Sequence, residues 1–263
     1  MENAMRDAAR DTTQPPQTPH SPSQDTQQPS GTAQTPSRTT RAPSPSAADY
    51  RPTGRTVPTR APDRASYDRE LVHAILDEGY VCHLGFVRDG APVVLPTLYA
   101  RAGERLYVHG STGSRPLRMT GAGDPGLPVC LTVTHVDALV LARSAFHHSI
   151  NYRSVVVHGT AYDVTDPEER RTALDALVDQ VVPGRSRDSR PASKKELAAT
   201  AVIRLDLDEV SAKLRTGGVN DEPEDLALPH WAGLLPLRKG YAAPVADPAL
   251  APGVTVPGYL SAR

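Results

Sequence analysis

Several residue types that define particular classes of protein are scarce in this sequence. Its 263 residues include two cysteines, one tryptophan and two phenylalanines. Cys82 and Cys130 each lie inside an apolar, strand-like run, which favours buried thiols in a reducing cytoplasm over a disulfide-stabilised secreted fold. No apolar run reaches the roughly 18 residues of a membrane helix, and none near the start resembles a secretory leader. We therefore expect a cytoplasmic protein without a membrane partner.

Charge and motif spacing exclude further classes. The formal net charge of −1 gives no reason to expect a nucleic-acid partner. His147, His148 and His158 do not fall into the HxxxH, HExxH or CxxC spacings of metal sites, so no metal is predicted. The GxSxG motif of serine hydrolases is also absent. No side chain stands out as a catalytic acid or base, and the sequence assigns no catalytic residue.

The composition changes sharply near residue 65. Residues 1–65 contain 11 of the 26 prolines and are otherwise rich in serine, threonine, glutamine, arginine and alanine. Such a segment has too little apolar surface to offset the entropy of an ordered chain, so we predict a disordered tail. Residues 66–263 form the predicted folded domain. From about residue 216 onward this domain is rich in glycine and proline, and we expect an irregular segment there.

Short apolar runs separated by turn residues predict a mainly β domain. The runs YVCHLGFV (80–87), APVVLPTLYA (91–100) and RLYVH (105–109) are joined by short turns and predict an antiparallel meander. LPVCLTVTHV (127–136) and ALVLARSA (138–145) are predicted as two strands with Asp137 between them, and YRSVVVHGTAYDV (152–164) as a long strand. Many short antiparallel strands with few helices indicate a β-barrel with helical additions.

Three helices are predicted from capping residues and apolar spacing. Ser66 is expected to cap a helix over 67–78, and Asp166 is expected to cap a second helix. Ser193 and Glu196 have the spacing of a capping box at the start of a third. The apolar stripe of the second helix, at helical spacing, comprises Leu174, Leu177, Val178 and Val181.

The most unusual stretch is LYVHGSTGSRPLR (106–118), in which a strand ends in five small residues and an arginine. Glycines allow a backbone to approach a ligand closely, and hydroxyl and amide donors followed by Arg115 favour an anion such as phosphate. A short helix predicted directly after Arg115 would add a favourable potential. A polar hairpin loop is the alternative on spacing alone, since the stretch contains neither a P-loop nor a Rossmann glycine motif.

Two further stretches supply candidate site residues. In HHSINYRS (147–154), Arg153 and Ser154 begin an apolar strand and Asn151 is a typical turn residue. Trp231 is the one tryptophan of the chain and lies in a segment without periodicity. It is either a packing anchor for that segment or a wall for a planar ligand.

The order PVVLPTLYA, RLYVHGSTGSRPLR, LPVCLTV and NYRSVVVHGTA resembles the pyridoxamine 5′-phosphate oxidase-like family, and within it the branch of the nitroimidazole-resistance proteins. The resemblance covers about residues 66–235. It implies the FMN-binding split β-barrel, which is an antiparallel barrel with a few flanking helices. Members of this family are typically homodimers with FMN sites at the subunit interface.

The resemblance also implies which residues hold the cofactor. The strand at 93–97 would present its backbone to the edge of the flavin ring, residues 109–111 would flank the ribityl chain, and the Ser114–Arg115 pair would bind the phosphate. Residues 151–154 would approach the flavin of the partner subunit. The residues predicted to contact the cofactor are Val94, Leu95, Pro96, Thr97, His109, Gly110, Ser111, Ser114, Arg115, Asn151, Tyr152, Arg153, Ser154 and Trp231.

The implied activity is electron transfer, in which bound FMN takes a hydride from a reduced nicotinamide and passes electrons to a small organic acceptor. Pro116 stands where the oxidase often carries a lysine, and the oxidase's C-terminal substrate-binding arginine and histidine have no clear counterpart. Oxidation of pyridoxamine phosphate is therefore not expected. The alternatives are a non-catalytic flavin- or haem-binding protein and a reductase that uses a deazaflavin.

Overall fold

In the computed structural model, which describes residues 49–113 and 126–261, nine strands form one antiparallel sheet. Residues 1–48 of the predicted tail lie outside the described residues, and so do the predicted phosphate-binding residues Ser114 and Arg115. The strands are β1 (Ala65–Ser66), β2 (Val81–Arg88), β3 (Ala91–Ala102), β4 (Arg105–Ser111), β5 (Leu127–Leu141), β6 (Ser149–Asp163), β7 (Thr200–Asp206), β8 (Glu209–Arg215) and β9 (Gly233–Pro236).

Six of these strands close into a barrel. Their order around the ring is β2, β3, β4, β7, β6 and β5, and β5 pairs again with β2. The long strand β6 changes neighbours, because its residues 152–158 pair with β8 whereas Tyr162 and Asp163 pair with β7. β1 extends the sheet from β8, and β9 extends it from β5. The prediction of a mainly β, antiparallel barrel with few helices is confirmed.

Alternate residues of the strands fill the barrel interior, because successive side chains of a strand point to opposite faces. On β4, Leu106 and Val108 belong to the interior cluster, whereas Tyr107 packs outside it with Val164 and Ala173. The largest fully buried side chains are Tyr99, Ile75, Leu76, Leu106, Leu131, Val72, Val133, Val140, Val155, Val157, Val202 and Val210.

Local backbone features explain one turn and one bulge of the sheet. The β2–β3 hairpin turns at Asp89 and Gly90, whose φ angles of 52° and 76° suit a two-residue hairpin turn. The predicted division into two strands at Asp137 was wrong, because β5 continues through it as a single strand. Both flanks of Asp137 stay paired with β6, so the extra residue forms a bulge instead of ending the strand.

Four helices flank the barrel among the described residues: α1 (Arg69–Glu78), α2 (Pro167–Val181), α3 (Lys194–Ala199) and α4 (Gly258–Ser261). Asp166 caps α2 by accepting the N–H of Glu169 at 2.7 Å, as predicted. Ser193 and Glu196 form the predicted capping box of α3. Every described helix is too short or too polar to cross a membrane.

Helix α1 begins later than its sequence suggested. Its cap is Asp68, which accepts the N–H of Leu71 at 2.6 Å, so the predicted cap at Ser66 was wrong. Ser66 is committed to strand β1, where it pairs with Ala212. Because Ser66 is paired in the sheet, the chain enters the helix two residues later, and Asp68 supplies the side-chain oxygen that caps it.

The segment before β1 packs on the barrel, although the sequence placed residues 49–65 in the tail. Tyr50 is 4% exposed, its N–H donates to the carbonyl of Tyr67 at 2.9 Å, and its hydroxyl donates to Glu104 at 3.0 Å. Burial, with the carboxylate of Glu104, raises the pKa of Tyr50 well above its ordinary value. One aromatic side chain therefore orders a segment whose average composition is that of a tail.

Tyr50 is expected to contribute strongly to stability. Replacement by alanine empties its site in the core and should lower the free energy of unfolding by about 3 kcal/mol or more. Replacement by phenylalanine keeps the ring and should cost about 1 kcal/mol, the contribution of a typical hydrogen bond. Urea denaturation of both variants measures this. A chain that begins at residue 64 with an unchanged melting temperature would contradict the packing of this segment.

Both cysteines are free thiols. Cys82 is fully buried, and burial raises its pKa to about 12. The Cys82 thiol is therefore protonated and unreactive at neutral pH. Its predicted place inside an apolar strand is confirmed.

Candidate functional site

Strands β3 and β4 separate along part of their length and leave a cleft in the barrel wall. They pair only from Tyr99–Val108 to Ala102–Arg105. Before that point β3 is paired with β2 alone, and after it β4 is paired with β7 alone. The cleft is therefore bounded by residues 92–97 of β3 and 109–111 of β4. Both segments were predicted from the sequence to contact the flavin of the same protomer.

The backbone of β3 presents a defined set of groups to this cleft. The N–H of Tyr99 donates to the carbonyl of Tyr80, towards β2. Because backbone groups alternate between the two edges of a strand, Pro92, Val94 and Pro96 direct theirs to the cleft. Proline has no N–H, so over residues 92–97 Val94 supplies the single N–H on this edge. The same prolines prevent another strand from pairing there.

The side chain of His109 lies on the outer face of the barrel, beside helix α2. It lines a cavity of about 560 Å³ between the barrel, α2 and the segment that leads into α3. A cavity of this size suits a small-molecule ligand or cofactor. Its apolar wall includes Leu98, Leu174, Leu177, Val178, Val181, Val182 and Leu197. We call it the helix cavity.

His109 is the one polar residue of β4 at this wall, and its imidazole is poorly satisfied. Its Nδ1 atom is buried and has no hydrogen-bond partner among the described residues. Burial lowers the pKa of His109 below its ordinary value of 6.5, so the imidazole is neutral at neutral pH. A neutral imidazole with an unshared lone pair in an apolar cavity is a ready ligand for a metal-centred cofactor.

The outer end of the helix cavity is polar. Arg185 and Arg190 line it together with Ser186 and Ser189. Arg190 donates two hydrogen bonds to the carboxylate of Glu196, at 2.7 and 3.1 Å. The cavity therefore combines an apolar body, one histidine near the barrel, and an outer end where two guanidinium groups lie with the carboxylates of Asp175 and Glu196.

The structure does not bring residues 151–154 into the cleft of the same protomer. They lie on β6, and β5 and β2 separate them from β3. Asn151 is buried and accepts a hydrogen bond from Arg215, and the Ser154 hydroxyl donates to the carbonyl of Lys213. Tyr152 is partly buried between β5 and β8.

Arg153 is held by two carboxylates. It donates to Asp137 at 2.8 and 3.0 Å and to Glu78 at 3.0 Å, which ties β6 to β5 and α1. The hydrogen bonds to Asp137 and Glu78 raise the pKa of Arg153. Within one protomer its charge is therefore compensated by structural partners.

Trp231 is not an anchor buried in the core, because it is 69% exposed. Its ring packs over Gly233, where an added Cβ would lie 2.8 Å from the indole. The structure thus places an exposed aromatic surface beside strand β9. This leaves Trp231 available to a ligand or a partner, which is one of the two alternatives from the sequence.

The helix cavity was not predicted from the sequence. The stripe of α2 was visible as an amphipathic pattern, but such a pattern is satisfied equally by packing on the barrel and by lining a cavity. The arginine-rich segment 183–193 had no apolar periodicity to place it. The one available signal was His109 itself, a histidine at the end of an apolar strand.

Acidification is expected to destabilise the cofactor-free protein. Burial lowers the pKa values of His73, His109 and His158. Below pH 6.5 the unfolded chain therefore binds protons that the folded chain does not, and the free energy of unfolding falls with falling pH. Urea denaturation between pH 7.5 and 5.5 should show this slope, and His109→Phe should reduce it. Constant stability across this range would contradict the burial of these imidazoles.

Comparison with known proteins relates this geometry to a family. The family model of pyridoxamine 5′-phosphate oxidase matches residues 68–214. The flavocytochrome Anf3 from Azotobacter vinelandii is 38% identical, with 81% of this chain and 98% of that chain covered and a TM-score of 0.74. The FAD and haem binding protein from Mycobacterium smegmatis is 39% identical, with 76% and 96% covered and a TM-score of 0.71.

A weaker likeness joins the chain to a candidate 5-nitroimidazole antibiotic resistance protein from Bacteroides thetaiotaomicron, at 21% identity, 57% and 85% coverage and a TM-score of 0.47. The comparison with curated proteins gave no match. The family model spans more than half of the chain, and two solved relatives share more than a third of their residues with it over most of its length. The chain therefore belongs to the pyridoxamine 5′-phosphate oxidase family, as its sequence resemblance predicted.

Proposed function

We propose that the protein is an electron-transfer protein that binds a flavin in the cleft between β3 and β4 and a haem in the helix cavity. The observation that carries the proposal is the position of His109. Its main chain borders the cleft, and its side chain lines the cavity. Two relatives of 38% and 39% identity bear names that combine a flavin with a haem or a cytochrome.

The residues of the helix cavity fit a haem. The neutral imidazole of His109 would be the group that binds the haem iron, and its buried Nδ1 has no hydrogen-bond partner among the described residues. The leucines and valines of α2 offer apolar contact to a porphyrin. The guanidinium groups at the outer end suit its carboxylates, because arginine pairs with carboxylate in a planar fork.

The cleft fits the edge of a flavin ring. The Val94 N–H and the carbonyls of Pro92, Val94 and Pro96 face it, which supplies one donor among several acceptors. A flavin carries both donors and acceptors along its pyrimidine edge. Gly110 and Ser111 border the opposite side. Arg115, which we propose for the phosphate, follows Ser111 by four positions in the sequence.

The shared strand β4 brings the two sites close together. Gly110 and Ser111 border the cleft one and two residues after His109, which lines the cavity. A flavin and a haem bound at these sites would supply two-electron exchange with a nicotinamide and single-electron exchange between the two cofactors. We therefore propose a reduced nicotinamide as donor and a small organic molecule as acceptor. The chain's own residues bind, orient and exclude water, and none is assigned to proton transfer.

We further propose a cytoplasmic homodimer in which residues 151–154 and Trp231 approach the flavin of the partner subunit. Exposed apolar side chains on one face of the β2–β3 hairpin support an interface there, because large apolar patches are uncommon on monomers. These are Val81, Val87, Val94 and Leu98. Sedimentation of the flavin-loaded protein tests this, and a flavin-loaded monomer would contradict a shared site.

The small molecules that purify with the full chain test the function. Mass spectrometry of the denatured protein should find a flavin and protoporphyrin, and the native absorption spectrum should show a Soret band. FMN was the sequence-based prediction, whereas the name of the mycobacterial relative favours FAD, and the measured mass distinguishes them. A deazaflavin would be identified in the same experiment. Absence of both cofactors after expression with haem and riboflavin supplements would overturn the proposal.

Replacement of Val94 by proline tests the placement of the flavin. It removes the single N–H of the cleft edge without disturbing pairing with β2, because that N–H points away from β2. Flavin affinity should fall about two- to tenfold, the effect of one neutral hydrogen bond. Val94→Ala keeps the N–H and should bind nearly as the natural chain does. Fluorescence titration of cofactor-free protein measures both, and equal losses would assign the effect to the side chain.

A further inference from the structure

We infer that Arg185 is the residue that recognises a carboxylate of the ligand in the helix cavity, and that Tyr259 of the C-terminal segment positions it. The inference rests on the proposed haem site. It concerns the outer end of that site, about which the names of the relatives say nothing. It assigns a role to a part of the chain, residues 237–261, that lies outside the residues matched by the family model.

Arg185 is the guanidinium at the cavity that is free to bind a ligand. Its Nη1 donates to the Tyr259 hydroxyl at 3.1 Å and to Asp188 at 3.3 Å. Its Nε and Nη2 groups donate no hydrogen bond within the described part of the chain. The second cavity arginine, Arg190, has both Nη groups engaged by Glu196 and the carbonyl of Pro191. Of the two cavity arginines, Arg185 therefore offers a ligand carboxylate two unengaged nitrogens, Nε and Nη2, whereas both Nη groups of Arg190 are engaged.

Tyr259 reduces the pull of Asp188 on this guanidinium. Its hydroxyl donates to Asp188 at 2.5 Å, so the carboxylate that faces Arg185 is already hydrogen-bonded. The same hydroxyl accepts from Arg185. The tyrosine thus fixes one Nη group and leaves the rest of the planar fork directed elsewhere, which is what a bidentate carboxylate needs.

Much of the segment that carries Tyr259 is exposed to solvent. Val245 is 95% exposed and Val254 is 56% exposed. Tyr259 lies on α4, only four residues long, and its side-chain hydrogen bonds join residues 71 and 74 positions apart. The hydrogen bonds of Tyr259 to Arg185 and Asp188 hold its segment against the arginine-rich segment 183–193 beside the cavity.

The arrangement selects the chemistry of the ligand. An apolar wall suits a large flat hydrocarbon body, and a guanidinium with unengaged Nε and Nη2 groups at the open end suits an acid group on its edge. Haem meets both requirements, whereas its dimethyl ester has the same body without carboxylates. The pair of ligands therefore separates recognition of the acid from recognition of the ring.

The test is titration of the full chain with haem and with haem dimethyl ester in one detergent buffer, followed through the Soret band. Arg185→Gln should weaken haem about tenfold to a hundredfold, the effect of a hydrogen bond to a charged group, and leave the ester unchanged. Tyr259→Phe should weaken haem about threefold, because the guanidinium is kept but not positioned. Arg187→Gln, a neighbouring exposed arginine that does not line the cavity, is the matched control and should change neither ligand.

Each outcome has a separate meaning. Equal losses of haem and ester in Arg185→Gln, or no loss of either, would overturn the role of Arg185. A Tyr259→Phe chain that binds haem as the natural chain does would overturn the positioning role. A natural chain that binds neither ligand would overturn the proposed haem site itself. Melting temperatures of the three variants, expected to lie close to that of the natural chain, confirm that folding is not the cause.

Discussion

Replacement of His109 by alanine is expected to abolish haem binding and to leave flavin binding nearly unchanged. The imidazole is the proposed ligand of the haem iron. Its removal should lower haem affinity by more than the roughly 10–100-fold that follows removal of a group hydrogen-bonded to a metal ligand. The flavin contacts proposed for this position use the main chain of β4, which alanine retains. The Soret band after haem titration and the fluorescence of added flavin measure the two effects separately.

A matched control exists for this variant. His158 is also partly buried, and burial lowers its pKa too, but it does not line the helix cavity. His158→Ala should therefore bind haem as the natural chain does. A Soret band of normal intensity in His109→Ala, with unchanged haem affinity, would contradict the assignment of the axial ligand.

Replacement of Arg115 by alanine is expected to weaken FMN binding by about one to two powers of ten. Arg115 lies outside the described residues, so this expectation comes from the sequence, which places one fixed charge at the end of a small-residue loop. A charge-assisted hydrogen bond contributes roughly 1.5–3 kcal/mol. Riboflavin has no phosphate, and its affinity should barely change.

The lysine variant distinguishes charge from geometry at this position. Arg115→Lys should recover only part of the FMN affinity, because lysine keeps the charge without the planar fork. Titrations of cofactor-free protein with FMN, FAD and riboflavin compare the three chains. Equal losses for phosphorylated and unphosphorylated flavins would mean that Arg115 supports the fold rather than the phosphate.

The barrel was predictable because its strands are encoded locally. Asp89 and Gly90 set a two-residue hairpin, and the strands on both sides of it are short, mainly apolar runs. The capping residues Asp166 and Ser193 likewise act within one helical turn of their own position. Each of these signals is complete within a few residues, so no knowledge of tertiary contacts is needed.

The features that escaped prediction depend on distant partners. Asp137 resembles a turn residue, but pairing of both its flanks with β6 keeps the strand intact. Tyr50 lies in a segment with the composition of a tail and is ordered by Glu104 and Tyr67. The role of Arg185 depends on Tyr259, 74 positions further along the chain. Such contacts leave no periodic pattern in the sequence.

The sequence predicted flavin contacts on β3 but not the cleft, which becomes visible only in the strand register. The sequence placed Val94, Leu95, Pro96 and Thr97 at the flavin through family resemblance. The register shows that the two prolines of this strand lie on its cleft edge, where a missing N–H breaks no hydrogen bond with β2. A proline in a strand usually argues against that strand, and here it identifies the open edge.

The most direct test of the central claim, that neighbouring sites on β4 pass electrons between a flavin and a haem, is anaerobic photoreduction of the full chain loaded with both cofactors. If electrons pass between the two sites, the flavin absorbance bleaches and the Soret band then shifts to the position of ferrous haem. The shift should be absent in His109→Ala, which retains the flavin. A natural chain whose flavin is fully bleached while its haem stays ferric would contradict the account.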